Sequence, residues 1–475
     1  MICSCPFFGM EKAMPSSMFV AYEEYAESHC RNNCLKGVKW SPDGACLLTA
    51  SEDQKLRLFE LPQSTVQGQV DSGEHATGEL RSTLCVNEGD SIYDYCWYPL
   101  MDSAAPVTCC FVSTARDHPI HMWDAYDGSL RATYTARNHL DEVASAFSVA
   151  FEPTGNRFYC GFERAVRIFD ISRPGLAVET RATSKSRRSH EGQRGIISCI
   201  HFSPDYSGLY AAGSFAGSTG LYVENAPGLI ALLGGHTGGV TQVRFSHDGL
   251  YLFTAARCDG RILLWDARNT CQVLASFERR ASTNQRIGFD LSADSRGLIT
   301  ASQDGRVLVY DCTQPEQPPA VWLTFGEAAN AAALHPSLPL LAVAVGERRF
   351  SLQMDGDEAL QGAHVDSKLR ENGFSIWQLP QAPTTAGESV AAHPAAEGAR
   401  FEVGTVNHVD GAPLLSCDAD AYPLVTEVEK DGGPTAQAPA GYVCNHTDEA
   451  GQWADSEARD LEEKEIEGCA RAEVP

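Results

Sequence analysis

The sequence predicts an all-β fold, a seven-bladed β-propeller, from a recurring unit, its fixed internal register and its total of seven copies. Each unit opens with a short alternating strand that ends in an S-P-D-G-like turn. A second strand, a turn with an acidic residue, and a third strand ending in an aromatic follow. The clearest copy, GGHTGGVTQVRFSHDGLYLFTAARCDGRILLWDARN, runs from Gly234 to Asn269 and carries the Gly-His start and Trp-Asp end of a four-stranded WD-repeat blade.

The register repeats. The acidic residue stands six positions before the strand-ending aromatic in Asp53/Phe59, Asp117/Trp123, Glu163/Phe169, Asp259/Trp265 and Asp304/Tyr310. Two strands joined by a tight turn keep such a spacing, because a one-residue slip would turn the buried face outward. A sixth copy ends at Tyr222 with Ala216 at the acidic position. A seventh runs from NAAALHPSLPLLAVA to FSIWQL, with Trp377 as its aromatic and a polar insertion between, roughly Arg348 to Asn372. His236, Asp259 and Trp265 are the one nearly complete His-Asp-Trp set, and it reads as structural. Ring closure needs a strand from one terminus to remove a sheet edge, and the stretch around Met18–Ala21 is the candidate.

The predicted organisation is therefore a segment 1–33 that supplies the closing strand, a WD-repeat propeller over 34–379, and a tail over 380–475. The tail is rich in Ala, Pro, Gly and acid and carries about fourteen net negative charges, more than half of the chain's −25. Low hydrophobicity with such charge predicts disorder, apart from a marginal helix in ADSEARDLEEKEIEGCARA. The overall charge argues against indiscriminate binding to nucleic acid or anionic membranes. No apolar run is long enough for a transmembrane helix, and MICSCPFFGMEKAMPSSMF lacks the basic and apolar regions of a signal peptide. The seventeen cysteines are odd in number and scattered. Cys46, Cys96, Cys160 and Cys199 sit inside strand-like runs, which reads as reduced, buried thiols rather than disulfides or zinc sites.

No phosphate loop, nucleophile elbow, H-E-x-x-H or Rossmann fingerprint occurs, so the chain reads as a binding protein and not an enzyme, with no metal or cofactor. Binding residues are expected in loops. On one face of the propeller, in the turns before each inner strand and between second and third strands, cations collect: Arg116 and His118, Arg137 and His139, Arg164, Arg257. The densest stretches are TSKSRRSHEGQRG, with Lys185, Arg187, Arg188, His190 and Arg194, and ERRASTNQRI, with Arg279, Arg280, Asn284, Gln285 and Arg286. Arg suits phosphates and guanine edges, Asn and Gln suit base edges, and aromatics such as Tyr93 and Phe162 suit stacking by RNA loop bases. In GDSIYDYCWYPL, period two places Tyr93, Tyr95 and Trp97 on one face and Asp94, Cys96 and Tyr98 on the other. Tyr95 and Trp97 then wedge between blades, and Tyr93 emerges at the basic face, as packing or as a stacking platform.

The strings GDSIYDYCWYPLM, HPIHMWDAYDGSLRATY, NHLDE, CGFERAVRIFD, GIISCIHFSP, ALLGGHTGGVTQ, TNQRIGFDL and LHPSLPLLAVA, spread from about Cys34 to Val345, together resemble the telomerase Cajal body protein family. The resemblance implies a nuclear WD-repeat scaffold that binds a hairpin-loop element of box H/ACA small Cajal body RNAs and of telomerase RNA. It implies delivery of these particles to Cajal bodies in support of telomere maintenance. It also implies dyskerin and other H/ACA proteins, coilin and the survival-of-motor-neuron complex as partners, with folding by the cytosolic chaperonin. On this reading Arg187, Arg188, Arg194, Arg279 and Arg280 hold phosphates. Bases are read near Tyr93, Arg116, Arg137, Arg164 and Arg286. The rival is a protein–protein adaptor, for chromatin or a ubiquitin ligase, that uses the same face for a peptide. The family usually has a long polar N-terminal extension, and the acidic tail has no clear family counterpart.

Overall fold

The computed structural model describes residues 14–26, 33–66, 78–186, 189, 191–348 and 371–380. The chain divides into two units, Met1–Gly404 and Thr405–Pro475, and all described residues belong to the first. The tail from 381 onward, its expected disorder and its expected helix lie outside the described residues, as does most of the polar insertion.

Among the described residues seven sheets succeed one another along the chain, antiparallel apart from a short parallel edge strand in two of them. Their inner strands are Leu35–Trp40, Ile92–Trp97, Ser148–Phe151, Ile197–Phe202, Val240–Phe245, Phe289–Leu291 and Ala329–Leu334, which define blades 1 to 7. Blade 7 is completed by Ser16–Ala21, which lies antiparallel to Gly373–Gln378 with Ala21 opposite Phe374. The outer edge of that strand is covered in turn by Gly78–Glu79 in parallel. The Glu79 carboxylate there accepts from the backbone N–H groups of Tyr22 and Glu23 at 2.9 and 3.0 Å.

Alternation explains both the closed ring and its core. In blade 7 the second strand reads LLAVAV and is buried along its whole length. Leu340, Ala342 and Ala344 pack toward blade 1, whereas Leu341, Val343 and Val345 pack toward blade 6. A strand buried on both faces needs a continuous apolar run, and each of the seven blade interfaces holds one apolar cluster of this kind. Cys46, Cys96, Cys160 and Cys199 are free thiols in these layers, and burial pushes Cys46 and Cys199 up to about 12.

An inner strand has a sheet neighbour on one side only, so its other edge leaves backbone N–H and C=O groups that need partners. Each blade meets that need for the next. Lys39 Nζ donates to Tyr95 O (2.5 Å), Asp94 Oδ2 accepts from Val149 N (3.2 Å), and Ser148 Oγ donates to Ile197 O (2.9 Å). His201 Nδ1 accepts from Phe245 N (3.3 Å), and Gln242 both donates to Phe289 O (2.8 Å) and accepts from Phe289 N (3.0 Å). Asp290 Oδ2 accepts from Leu334 N (2.9 Å), and Asn330 Nδ2 donates to Leu35 O (2.7 Å). Trp40 and Trp97 lace the ring in the opposite sense, each donating its indole N–H to a carbonyl of the preceding blade.

In blades 1, 2, 4, 5 and 7 the inner strand carries a bulge after its first residue. The bulge takes Tyr93 out of phase with Tyr95 and Trp97. The shared face expected for all three is therefore corrected. Tyr95 and Trp97 pack against blade 1, with Lys39 Nζ 4.5 Å from the Tyr95 ring centre. Tyr93 instead meets Phe147 at the entrance to blade 3, with ring centres 5.0 Å apart.

Blades 2, 4 and 5 keep a polar group behind the strand-ending aromatic, with different chemistry in each. In blade 5, Thr254 Oγ1 bonds both Trp265 Nε1 (3.0 Å) and His236 Nε2 (2.9 Å), and His236 Nδ1 meets Asp259 Oδ2 (3.1 Å). Hydrogen bonds from Arg261, Thr237 and His236 hold the Asp259 carboxyl well below its usual range despite burial. In blade 2, Glu88 takes the His place and accepts from Trp123 Nε1 (2.9 Å) and from Ser113 Oγ. In blade 4, whose acidic position is Ala216, Gln193 accepts from the Tyr222 hydroxyl (2.9 Å) and donates to Ala212 O (2.7 Å).

Two predictions follow from this packing. Gln193→Ala leaves the buried Tyr222 hydroxyl unpaired and lowers stability by roughly 1–3 kcal/mol in chemical denaturation. His201 and His335 are held neutral by burial, with pKa values lowered from 6.5 to about 3 and about 4. A depressed histidine pKa stabilises the fold above the unfolded-state value and loses that contribution as pH falls through it. Stability measured between pH 7.5 and pH 5 therefore falls below about pH 6.5, by up to about 1.4 kcal/mol per pH unit for each histidine.

Candidate nucleic-acid interface

The turns that precede the inner strands and join second to third strands form one face, and their cations divide into two sectors. Around blades 2 and 3 the three arginines named from the sequence each meet a carboxylate. Arg116 lies 2.9 Å from Asp90, Arg137 3.3 Å from Asp141, and Arg164 3.5 Å from Glu163. Arg164 takes φ +52°, the left-handed conformation a tight turn requires. Lys185, ahead of blade 4, pairs with Glu191 at 2.5 Å. Exposed pairs of this kind contribute little to stability, and they leave a mixed-charge surface. Sequence reading missed Arg167, which stacks on Phe162 at 4.7 Å and donates to Arg137 O at 2.9 Å.

The second sector spans blades 4 to 6. Arg257, in the turn of blade 5, lies over the Phe215 ring of blade 4 at 4.4 Å. This approach depends on the paired glycines of HTGGV. A Cβ on Gly238 would stand 1.8 Å from Arg257 O, and one on Gly239 would stand 2.8 Å from the Phe215 backbone. Arg194 and Arg280 are exposed, and neither forms an ion pair among the described residues. Arg280 is fixed through its backbone, accepting from Gln303 N (2.8 Å) and donating to Ser302 Oγ (3.2 Å). Arg187, Arg188 and His190 lie outside the described residues.

Arg279 is a correction. Alternation along the outer strand Asn269–Glu278 carries on into the next residue and turns its side chain inward, leaving it 6% exposed. Its guanidinium donates to Thr300 Oγ1 at 2.9 Å, and burial pulls its pKa down to about 9. Arg279 is thus a packing residue between blades 5 and 6, whereas its neighbour Arg280 faces solvent.

Arg286 reaches inward rather than along the face. It donates to Ser198 O of blade 4 at 3.0 Å and approaches Asp94 Oδ1 of blade 2 at 3.4 Å. Asp94 is the hub there, since the same oxygen also accepts from Lys39 Nζ at 3.1 Å. Lys39 and Arg286 keep its carboxyl below the usual range although burial opposes them. Sequence reading placed Asp94 on the correct strand face but gave it no role. The available signal was its place three residues before the strand-ending Trp97, on the edge that faces the axis.

Comparison with known proteins bears on this surface. A WD domain, G-beta repeat model matches residues 25–60 and 228–266. Telomerase Cajal body protein 1 of Homo sapiens is 43% identical over 367 residues, covering 74% of this chain and 65% of that protein. The Bos taurus protein of the same name is 46% identical over 370 residues, covering 74% and 66%. The chain belongs to the telomerase Cajal body protein 1 family. A Drosophila melanogaster homolog is 35% identical over 351 residues, covering 73% of this chain and 61% of its own length. The chain thus spans somewhat less than two thirds of the length of these relatives.

Asp94→Asn puts an amide where one carboxylate accepts from two cations and two backbone N–H groups. It should lower stability by about 1–3 kcal/mol, read from denaturant midpoints at constant m-value.

Proposed function

We propose that the chain is a non-enzymatic RNA-binding scaffold that holds a hairpin loop of box H/ACA-type RNA, telomerase RNA included, on the blade 4 to 6 sector of its basic face. The observation that carries this reading is that Arg257 lies over the half-exposed ring of Phe215, with the exposed Arg194 and Arg280 in the turns that lead into blades 4 and 6 of the same sector. Separate cations suit successive phosphates, and an aromatic among them suits an unstacked base. Membership of a family whose members are named for telomerase and the Cajal body supports the RNA class and a nuclear, Cajal-body setting. Arg187 and Arg188 belong to the proposed sector by sequence. Tyr93, Arg116, Arg137, Arg164 and Lys185 form its mixed-charge flank, and Arg286 its inner border.

That flank favours a second role. Cations paired with carboxylates across blades 2 and 3 suit a protein partner with interleaved charges. The proposed partners there are dyskerin and the other H/ACA proteins, coilin and the survival-of-motor-neuron complex, with the cytosolic chaperonin acting during folding.

Immunoprecipitation with RNA sequencing should recover H/ACA RNAs that share a loop element. Replacing Arg194 and Arg280 by Ala should weaken binding of such a hairpin and reduce the slope of log K against log salt by about 0.7 per lost phosphate contact. Recovery of protein partners without enriched RNA would instead support an adaptor for chromatin or a ubiquitin ligase.

A further inference from the structure

One layer of the propeller axis lies apart from the proposed interface and touches it only at Arg286. In blades 1, 4 and 5 the residue before the last of the inner strand is Lys39, His201 and Arg244. In blades 2, 3 and 7 the same position holds the small side chains of Cys96, Ala150 and Ala333. The Lys39 and Arg244 side chains are 41% and 32% exposed. Inner strands are covered on one edge, so this exposure opens toward the axis.

The acceptors in this layer are already engaged. Asp94 Oδ1 takes Lys39, Arg286 and the backbone N–H of Tyr95 (2.9 Å), and its Oδ2 takes Val149 N. Asp290 Oδ1 takes Arg244 (2.8 Å) and Leu291 N (2.6 Å), and its Oδ2 takes Leu334 N. Donors remain in excess. Because Phe245 N–H donates to His201 Nδ1, the neutral ring carries its proton on Nε2. Lys39, Arg244 and Arg286 outnumber Asp94 and Asp290 by one positive charge.

We propose that this layer is an anion site that takes a phosphate group, held by Lys39 Nζ, His201 Nε2–H and the Arg244 guanidinium. Burial does most to lower the His201 pKa, and the charges of Arg244, His247 and Lys39 lower it further. A tetrahedral anion can accept from donors supplied by three blades, and the small side chains at this position in blades 2, 3 and 7 leave it room. The inner strands end at the S-P-D-G-like turns, so the site opens at the mouth opposite the basic turns. Its occupant is therefore a separate ligand, either free phosphate or a small phosphate monoester.

The test is isothermal titration of the full chain with inorganic phosphate and with phosphoserine, at constant ionic strength and with chloride as the control anion. Saturable binding by wild type is expected. Arg244→Gln and His201→Asn should each weaken it at least tenfold. In His201→Asn the amide oxygen can still accept from Phe245 N–H while the axial donor is lost, so this variant keeps the test decisive if Arg244→Gln fails to fold. Tighter binding of phosphoserine would identify a monoester as the ligand, and tighter binding of inorganic phosphate would identify the free anion. Non-saturable heats, or a folded His201→Asn that binds as wild type does, would overturn the proposal. Hairpin-RNA affinity should be unchanged in His201→Asn, which separates failure here from failure of the RNA reading.

Discussion

The ring depends on how the inner strands satisfy their free backbone edges. A four-stranded blade buries its apolar faces against its neighbours, but its innermost edge faces the axis with unpaired N–H and C=O groups. Here every blade lends the next a side chain: a lysine, an aspartate, a serine, a histidine, a glutamine, a second aspartate and an asparagine. The chemistry differs because each edge group asks for a donor or an acceptor according to the local register. Leaving such groups unpaired would cost about as much as a lost buried hydrogen bond at each position. The same bonds fix the rotation of each blade about the axis and hence the placement of the turns above it.

That placement is what makes the basic face a surface with structure. Arg257 can lie over Phe215 because Gly238 and Gly239, in the turn that leads into the inner strand Val240–Phe245, closely approach the Arg257 carbonyl and the Phe215 backbone. Arg286 crosses to blades 2 and 4, so the hub at Asp94 couples the inner border of the proposed RNA sector to the lacing itself. The axis also keeps polar and charged groups at low net charge. Asp94 serves two cations and Asp290 one, and both serve the backbone as well.

Much of this was legible in the sequence. Six-residue spacing between acid and aromatic located the blades, and the apolar stretch near Met18–Ala21 located the closing strand, which is Ser16–Ala21. Tyr95 and Trp97 wedge between blades because strict alternation holds through the end of that strand. Alternation failed at Tyr93, where a bulge that leaves no mark in the residue pattern turns the ring toward Phe147. Charge in the sequence was also only a partial guide. Arg279 and Arg280 are adjacent and chemically equal, yet one packs between blades and the other faces solvent. The ion pairs that neutralise Arg116 and Arg137 depend on loop conformation rather than composition. Glu88 and Gln193 stand behind the aromatic where blade 5 has His236, and the Gly-His motif that marks His236 in the sequence is absent at both.

The claim that most needs direct contact with experiment is the position of RNA on the propeller. Ultraviolet cross-linking of the full chain to a box H/ACA hairpin, with adducts mapped by mass spectrometry, addresses it without a mutation. The account predicts adducts on peptides that contain Phe215, Arg257 and Arg280, in the sector of blades 4 to 6. Adducts confined to other blades, or RNA that co-purifies only through another protein and yields no adduct on this chain, would contradict it.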